Sequence, residues 1–257
     1  MKCSILNSLA AMSVLAVGTS ASAQFSKPSE SRQLKLGKEA ARDIRKSEKV
    51  LPDSDPRVIE LRAVARKLLN TISDPKEQWE YSFDVIDSKE VNAFALPGGP
   101  TFFFTGLMDK LHSEDEIAAV LGHELTHVRK QHWAYQYRDQ QNRDLLFAAG
   151  AILARPNKTI LNTAGVLSTL ALDLPYSRKH EAEADEVGYE MMIDAGYNPK
   201  GMVDVFKMLK ESASGGHVPE FLSDHPSDDK RIDRIQDKIA KDSRRFPPER
   251  PVAYKHS

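Results

Sequence analysis

His123-Glu124-Leu125-Thr126-His127 is the run whose residue types and spacing most directly imply chemistry. Positions four apart on an α-helix share a face about one turn apart, so two imidazoles placed there can grip one ion. The glutamate beside the first is offset, where it can hold a water next to that ion. An HExxH element of this kind is the signature of zinc hydrolases, most often peptidases. Ordinary residue usage produces such a match in roughly one chain in a hundred of this length, so its surroundings decide.

Those surroundings favour a helix. Ser113-Glu114-Asp115-Glu116 reads as a capping box with acidic residues at a helix N-terminus. Ile117, Val120, Leu121, Leu125 and Val128 follow at helical spacing, with Glu124 set inside the apolar stripe. A helix with a purely structural role has no use for a carboxylate there, because burying an unpaired charge is costly. Gly122 is the only glycine between Ser113 and Trp133. It costs about 1 kcal/mol relative to Ala, which close approach of another backbone would offset.

Catalytic zinc usually keeps three protein ligands and one open position. The one cysteine, Cys3, lies at the N-terminus, so the third ligand must be His, Asp or Glu. A second helical run begins at Ser177 and stops at Gly196, with Pro199 soon after. In it Glu181 and Asp185 share a face, while Glu183 points to the opposite side. One of that pair can bind the metal and the other can accept the second N–H of a ligating histidine. His180 lies on a different face from Asp185 and is the weaker candidate. Alone, the stretch would pass for an acidic, solvated face; two histidines awaiting a partner make the functional reading the stronger.

HELTH followed by SRxxExEADxxG resembles the zinc metallopeptidase family that includes the CAAX prenyl endopeptidases and the heat-shock protease HtpX, in particular its soluble periplasmic BepA-like and LoiP-like members. Asn92-Ala93-Phe94-Ala95-Leu96-Pro97-Gly98-Gly99 is similar to the family's NAFALPGG strand and turn, and His225-Pro226 with Arg231-Ile232 to its HPxxxxRI element. The four motifs occur in family order from about residue 91 to 232, with weaker similarity from about 32. The resemblance implies an α+β, mainly helical, zincin-like fold of the gluzincin type, with a small antiparallel sheet beside the HExxH helix. It implies one Zn2+ per chain on His123, His127 and Glu181, Glu124 as catalytic base and Asp185 behind the ligands. Asn92, Ala93, Phe94 and Ala95 would present an edge to substrate. His225 would be able to approach the metal and restrain activity, and Arg231 would have a structural or transition-state role.

Read by residues alone, Asn92 to Phe104 is a core hairpin turning at Pro97-Gly98-Gly99-Pro100. The two readings agree, since an edge strand can pack one face and pair a peptide along its backbone. His225 alone is a loop histidine before a helix over about 228–239. Residues 32–47 and 57–72 also read as helices, the latter with Val58, Leu61, Val64, Leu68 and Leu69 at core spacing. Trp79 to Ile86 reads as a strand, and from Thr105 onward the pattern is helical almost to the end.

Lys2, the apolar run Ile5 to Val17 and Ala21-Ser22-Ala23 read as a secretory signal over 1–23, which implies export, most simply to a periplasm. Removing it takes one Lys and no acid from 36 basic and 37 acidic residues, leaving a net charge of −2. No basic field for nucleic acid or anionic lipid remains. Residues 24–243 form one expected domain, and 244–257, with Pro247, Pro248 and Pro251, an extended or disordered tail. The apolar stretch Leu145 to Leu174 is broken at Arg155-Pro156-Asn157-Lys158 into pieces too short to cross a bilayer. Core or cleft-covering helices are expected there, and no spanning segment in the mature chain. Ser212 to Gly216 reads as a small-residue flap.

The functional expectation is a zinc-dependent endopeptidase cleaving misfolded or unassembled cell-envelope proteins. Its partners would be unfolded or misassembled polypeptides and the outer-membrane assembly machinery. A periplasmic chaperone or assembly factor with a latent, autoinhibited zinc site is the alternative. Hydrolysis of a non-peptide amide would use the same ligands. Prenyl-protein cleavage fits poorly, because those relatives carry several spanning helices.

Overall fold

The computed structural model describes residues 25–73, 79–151, 176–213, 219–225 and 229–255. The expected signal segment, most of the 145–174 run, residues 214–216 of the flap and Pro226–Asp228 of the HP element lie outside them. Two N-terminal helices start where capping chemistry dictates. Ser29 caps α1 (Glu30–Ser47) by accepting from the Arg32 N–H, and Asp55 caps α2 (Pro56–Leu69) by accepting from Arg57, with proline at the start.

Three strands follow: β1 (Ser82–Ile86), β2 (Ala93–Ala95) and β3 (Pro100–Phe104), in spatial order β1-β3-β2. The β2–β3 hairpin is antiparallel, with Ala93 opposite Phe103 and Ala95 opposite Thr101. Gly98 (φ 88°) and Gly99 (φ 121°) make its turn in backbone regions that side chains disfavour. The sheet is mixed, not wholly antiparallel: β1 pairs parallel with β3, Ser82 opposite Pro100 through to Ile86 opposite Phe104. The connection over 87–92 carries the chain past the place of β3, and the hairpin then folds β3 back between its two neighbours. That leaves β2 at an edge. Asn92 O accepts from Phe104 N–H and Leu96 N–H donates to Pro100 O, so by alternation the peptide groups of Ala93 and Ala95 face away from β3.

A single-turn α3 (Thr105–Met108) leads to α4 (Glu114–Arg129), the central helix. Ser113 caps it by accepting from Glu116 N–H at 3.1 Å, while the Glu116 carboxylate reaches back to the His112 N–H, one residue before the box position. Every residue of α4 from Ile117 to Val128 is buried. Around it pack α2, α6 (Arg178–Asp194, capped by Ser177) and α7 (Lys200–Ala213), and their apolar side chains form one continuous core. The α4–α6 crossing is closest at Gly122 and Gly188. A Cβ on Gly188 would lie 3.0 Å from the Gly122 carbonyl carbon, so the glycine noted in the sequence does serve backbone approach.

The helical pattern after Thr105 is interrupted at a point that no Gly or Pro marks. α4 ends at Arg129, Gln131 adopts a left-handed φ of 56°, and α5 (His132–Ala151) starts in a new direction. α8 (Glu220–Asp224) and α9 (Asp229–Lys241) follow. The tail from Arg244, expected as an extended or disordered arm, has no α-helix over its described residues but is held to the body. Pro251 bridges Ser113, Val252 is buried, and the Glu60 carboxylate accepts from the Ala253 and Tyr254 N–H groups. Among the described residues no helix is long and apolar enough to cross a membrane.

Candidate metal centre

Two crossing helices, α4 and α6, deliver the first three donors. His123 and His127 project from one face of α4, with Nε2 atoms 3.0 Å apart. Glu181, one turn into α6, places Oε1 at 3.4 Å from His127 Nε2 and Oε2 at 3.5 Å from His123 Nε2. His225, just after α8, adds a fourth donor: its Nδ1 lies 3.1 Å from both His123 Nε2 and Glu181 Oε1. All four residues are buried, and they are the group found capable of holding a metal ion among the described residues.

Whether zinc fits this set can be judged from its edges. A tetrahedron with Zn–N arms of about 2.0–2.1 Å has edges of about 3.3–3.4 Å. The observed donor separations of 3.0 to 3.5 Å bracket that value. Asp185 Oδ1 faces the other nitrogen of His123 at 3.2 Å, which favours a proton on Nδ1 and turns a lone pair on Nε2 inward. That contact is short enough for a hydrogen bond but outside its angular range. Inward lone pairs and a carboxylate packed this closely repel one another unless protons or a cation lie among them. Soft thiolates are absent, and the mixed imidazole–carboxylate set suits zinc.

Arg231 of α9 supports the acidic side. Its guanidinium lies 2.7 Å from Glu181 Oε2 through Nη1, and grips Asp185 through Nε at 2.8 Å and Nη2 at 2.7 Å. One buried fork thus ties together two carboxylates a turn apart on α6, with its other face on the Phe206 ring. Burial alone would raise the Glu181 carboxyl, but His225 and His123 outweigh it and hold it well below the usual range. Asp185 is likewise held low against burial, by His123 and Arg231.

Glu124 sits beside the donors, 1% exposed. Its Oε1 is 3.2 Å from His225 Nε2, yet poorly aligned, so the oxygen has no hydrogen-bond partner. Burial pushes its carboxyl up to about 7, opposed by His225 and by the Ala95 N–H that faces it from β2. The outer, β2 edge of the sheet therefore adjoins this carboxylate. Ala93, Phe94 and Ala95 line that edge, Phe94 stacks on Phe102, and buried Asn92 Oδ1 has no hydrogen-bond partner.

For His127, burial lowers the imidazole well below its ordinary value. For His123, burial acts in the same direction but Glu181 and Asp185 overcome it and raise it. His127 turns its Nδ1 to His132 Nδ1 at 3.0 Å, and His132 Nε2 faces Glu183 Oε2 at 3.4 Å. Burial and the neighbouring His180 bring His132 down to about 4. His180 stacks on His132 at 4.3 Å and is outside the donor group. Tyr176 lies over the His127 ring at 3.9 Å, and Phe221 stacks on His225 at 4.6 Å. Sequence reasoning missed His132, Tyr176 and Phe221. A third histidine five residues after the second was the one available signal.

The sequence profile of peptidase family M48 matches residues 57–239. Mitochondrial metalloendopeptidase OMA1 of Schizosaccharomyces pombe is 32% identical over 197 residues, 74% of this chain and 55% of that protein. The β-barrel assembly-enhancing protease of Escherichia coli K12 is 27% identical over 225 residues, 84% of this chain and 45% of that protein. The metalloprotease LoiP of the same organism is 27% identical over 211 residues, 80% of both. The chain spans about half the length of the first two.

Proposed function

Because the chain belongs to peptidase family M48, we propose that it is a zinc-dependent endopeptidase acting on misfolded or unassembled cell-envelope proteins. The observation that carries this reading is the convergence of imidazole and carboxylate donors on one buried point beside a glutamate oxygen, Glu124 Oε1, that has no hydrogen-bond partner. His123, His127 and Glu181 would hold the ion, with Asp185 and Arg231 fixing their orientation. Bound there, zinc supplies a Lewis acid that polarises a peptide carbonyl and lowers the pKa of water from about 15.7 toward 7.

The chain's own groups do the rest. Glu124 accepts a proton from the attacking water at its unpaired Oε1 and passes it to the departing amine nitrogen. A carboxyl near 7 suits both transfers at neutral pH. An extended peptide pairs with the outward peptide groups of Ala93 and the Ala95 carbonyl, which sets its carbonyl against Glu124 beside the Ala95 N–H. The signal-like leader supports export, and the resemblance to an assembly-enhancing protease supports clients from outer-membrane assembly. Glu124→Gln should retain stoichiometric zinc while cleavage of casein falls on the order of 10²- to 10⁴-fold. Undiminished cleavage by that variant would remove Glu124 from the reaction.

One observation favours a second reading, a chaperone or assembly factor with a latent site. His225 stands in the fourth donor position, which catalysis needs open, and the Phe221 N–H contacts Val91 O at 3.4 Å beside the substrate edge. Under the protease reading His225→Ala should increase casein cleavage. If neither form cleaves while both suppress aggregation of an unfolded client, the chaperone reading replaces it.

A further inference from the structure

We infer that His132 is a positioning residue for His127, forming with Glu183 a hydrogen-bonded chain that dictates which nitrogen His127 turns to the metal; this rests on the zinc reading above. The two histidines of α4 are supported differently. His123 has a carboxylate, Asp185, at its outer nitrogen, whereas His127 has an imidazole 3.0 Å away. For His127 to present a lone pair at Nε2, its proton must sit on Nδ1, and His132 Nδ1 must accept it. The proton of His132 is then on Nε2, directed at Glu183 Oε2 at 3.4 Å. Donors and acceptors alternate along the chain without conflict, and only one tautomer of each ring satisfies it.

Several features hold His132 in this place. The helix breaks at Gln131, whose left-handed φ of 56° is uncommon for a residue with a side chain. Such a conformation persists where the surroundings over-determine it. Here the Gln131 side chain accepts from Gln33 Nε2 at 3.0 Å and from the Lys27 ammonium, and donates to Glu30 at 3.2 Å. Without that break α4 would continue, and residue 132 would leave the site along the helix axis. The His132 ring is 2% exposed and stacks flat on His180, with 12° between planes. Lys130 Nζ, 3.4 Å from Glu183 Oε1, anchors the far end of the chain.

The test compares the full chain with His132→Phe, which keeps ring volume but removes both nitrogens, and His132→Asn, whose amide oxygen can still accept from His127. Zinc affinity is measured by chelator competition, the cobalt-substituted protein by its visible absorption, and folding by the melting temperature of the metal-free form. His132→Phe should bind zinc on the order of 10- to 100-fold more weakly, with an altered cobalt spectrum and an unchanged metal-free melting temperature. His132→Asn should recover most of the affinity. Wild-type-like affinity and spectrum in His132→Phe would overturn the inference, as would an Asn variant no better than Phe. If the Phe variant loses its metal-free fold, Glu183→Gln decides instead: weaker zinc binding supports the chain, and unchanged binding overturns it. Should the wild-type chain itself bind no zinc, the metal reading fails and not this inference alone.

Discussion

At the scale of single residues, the centre is a problem in charge. Glu124 is buried with no aligned donor at its Oε1 and its carboxyl is pushed up to about 7, while Glu181 and Asp185 raise His123 against burial. The metal-free cavity therefore carries protons at neutrality that a dication displaces, so zinc binding should release protons and weaken as pH falls through 7. Glu124, raised by burial, supplies part of that release, and Glu124→Gln should lack its share. Calorimetry in buffers of different ionisation enthalpy measures this, and equal release by the variant would contradict it. The stability linkage has a definite sign. A carboxyl raised from 4.5 to about 7 contributes stability that is present below 4.5 and lost as pH rises through about 7. His123, Glu124 and His127 were legible because helical spacing fixes their mutual geometry locally. The choice between Glu181 and Asp185 was not legible from spacing, since both share one face of α6. Their different contacts arise from the angle at which α6 crosses α4, a tertiary fact.

That crossing belongs to the scale of elements. Gly122 and Gly188 let the backbones of α4 and α6 meet, and this closeness brings Glu181 to the histidines. A methyl on Gly188 would lie 3.1 Å from His123 N and 3.0 Å from Gly122 C, backbone atoms that cannot rotate aside. Gly188→Ala should therefore destabilise the chain by about 1–3 kcal/mol, although alanine is worth about 1 kcal/mol more than glycine inside a helix. Zinc affinity should fall with it, because α6 is displaced from α4. Urea unfolding and chelator competition read the two effects, and a gain in stability would refute the packing argument. Helices announced by Ser113 and Ser177 were readable, since a cap and an apolar period are local signals. The break at Lys130-Gln131 was not, because neither Gly nor Pro marks it and side-chain contacts from α1 enforce it. The parallel pairing of β1 was equally hidden, since it depends on how the 87–92 connection crosses the sheet.

At the scale of the whole molecule, the C-terminal arm acts as a strap around the end of α4 remote from the metal. Buried Asp115 accepts from Asn198 N–H at 2.6 Å and from Arg250 N–H at 2.8 Å, and Arg250 Nη2 donates to Gly196 O. Glu60 accepts from Ala253 N–H at 2.9 Å, and Tyr254 Oη donates to Met108 O at 2.6 Å. Three prolines gave the arm an unstructured composition, and its docking was invisible because its partners lie far away in sequence. Deleting residues 245–257 would strip Glu60 of both its donors and Asp115 of one of its two, where a buried group left unpaired costs about 1–3 kcal/mol, and would remove the buried Val252 side chain, worth about 1.5–3 kcal/mol. The shortened chain should lose roughly 3 kcal/mol or more of stability, and melt correspondingly earlier. His123 lies eight residues beyond Asp115, about 12 Å along the helix, and its supports come from α6, α8 and α9, not the arm. Zinc affinity measured well below the melting transition should thus stay within a few-fold of the full chain. A large loss of affinity in a still-folded truncation would mean that the arm and the metal centre are coupled through α4, and that the helix does not behave as a rigid strut between them.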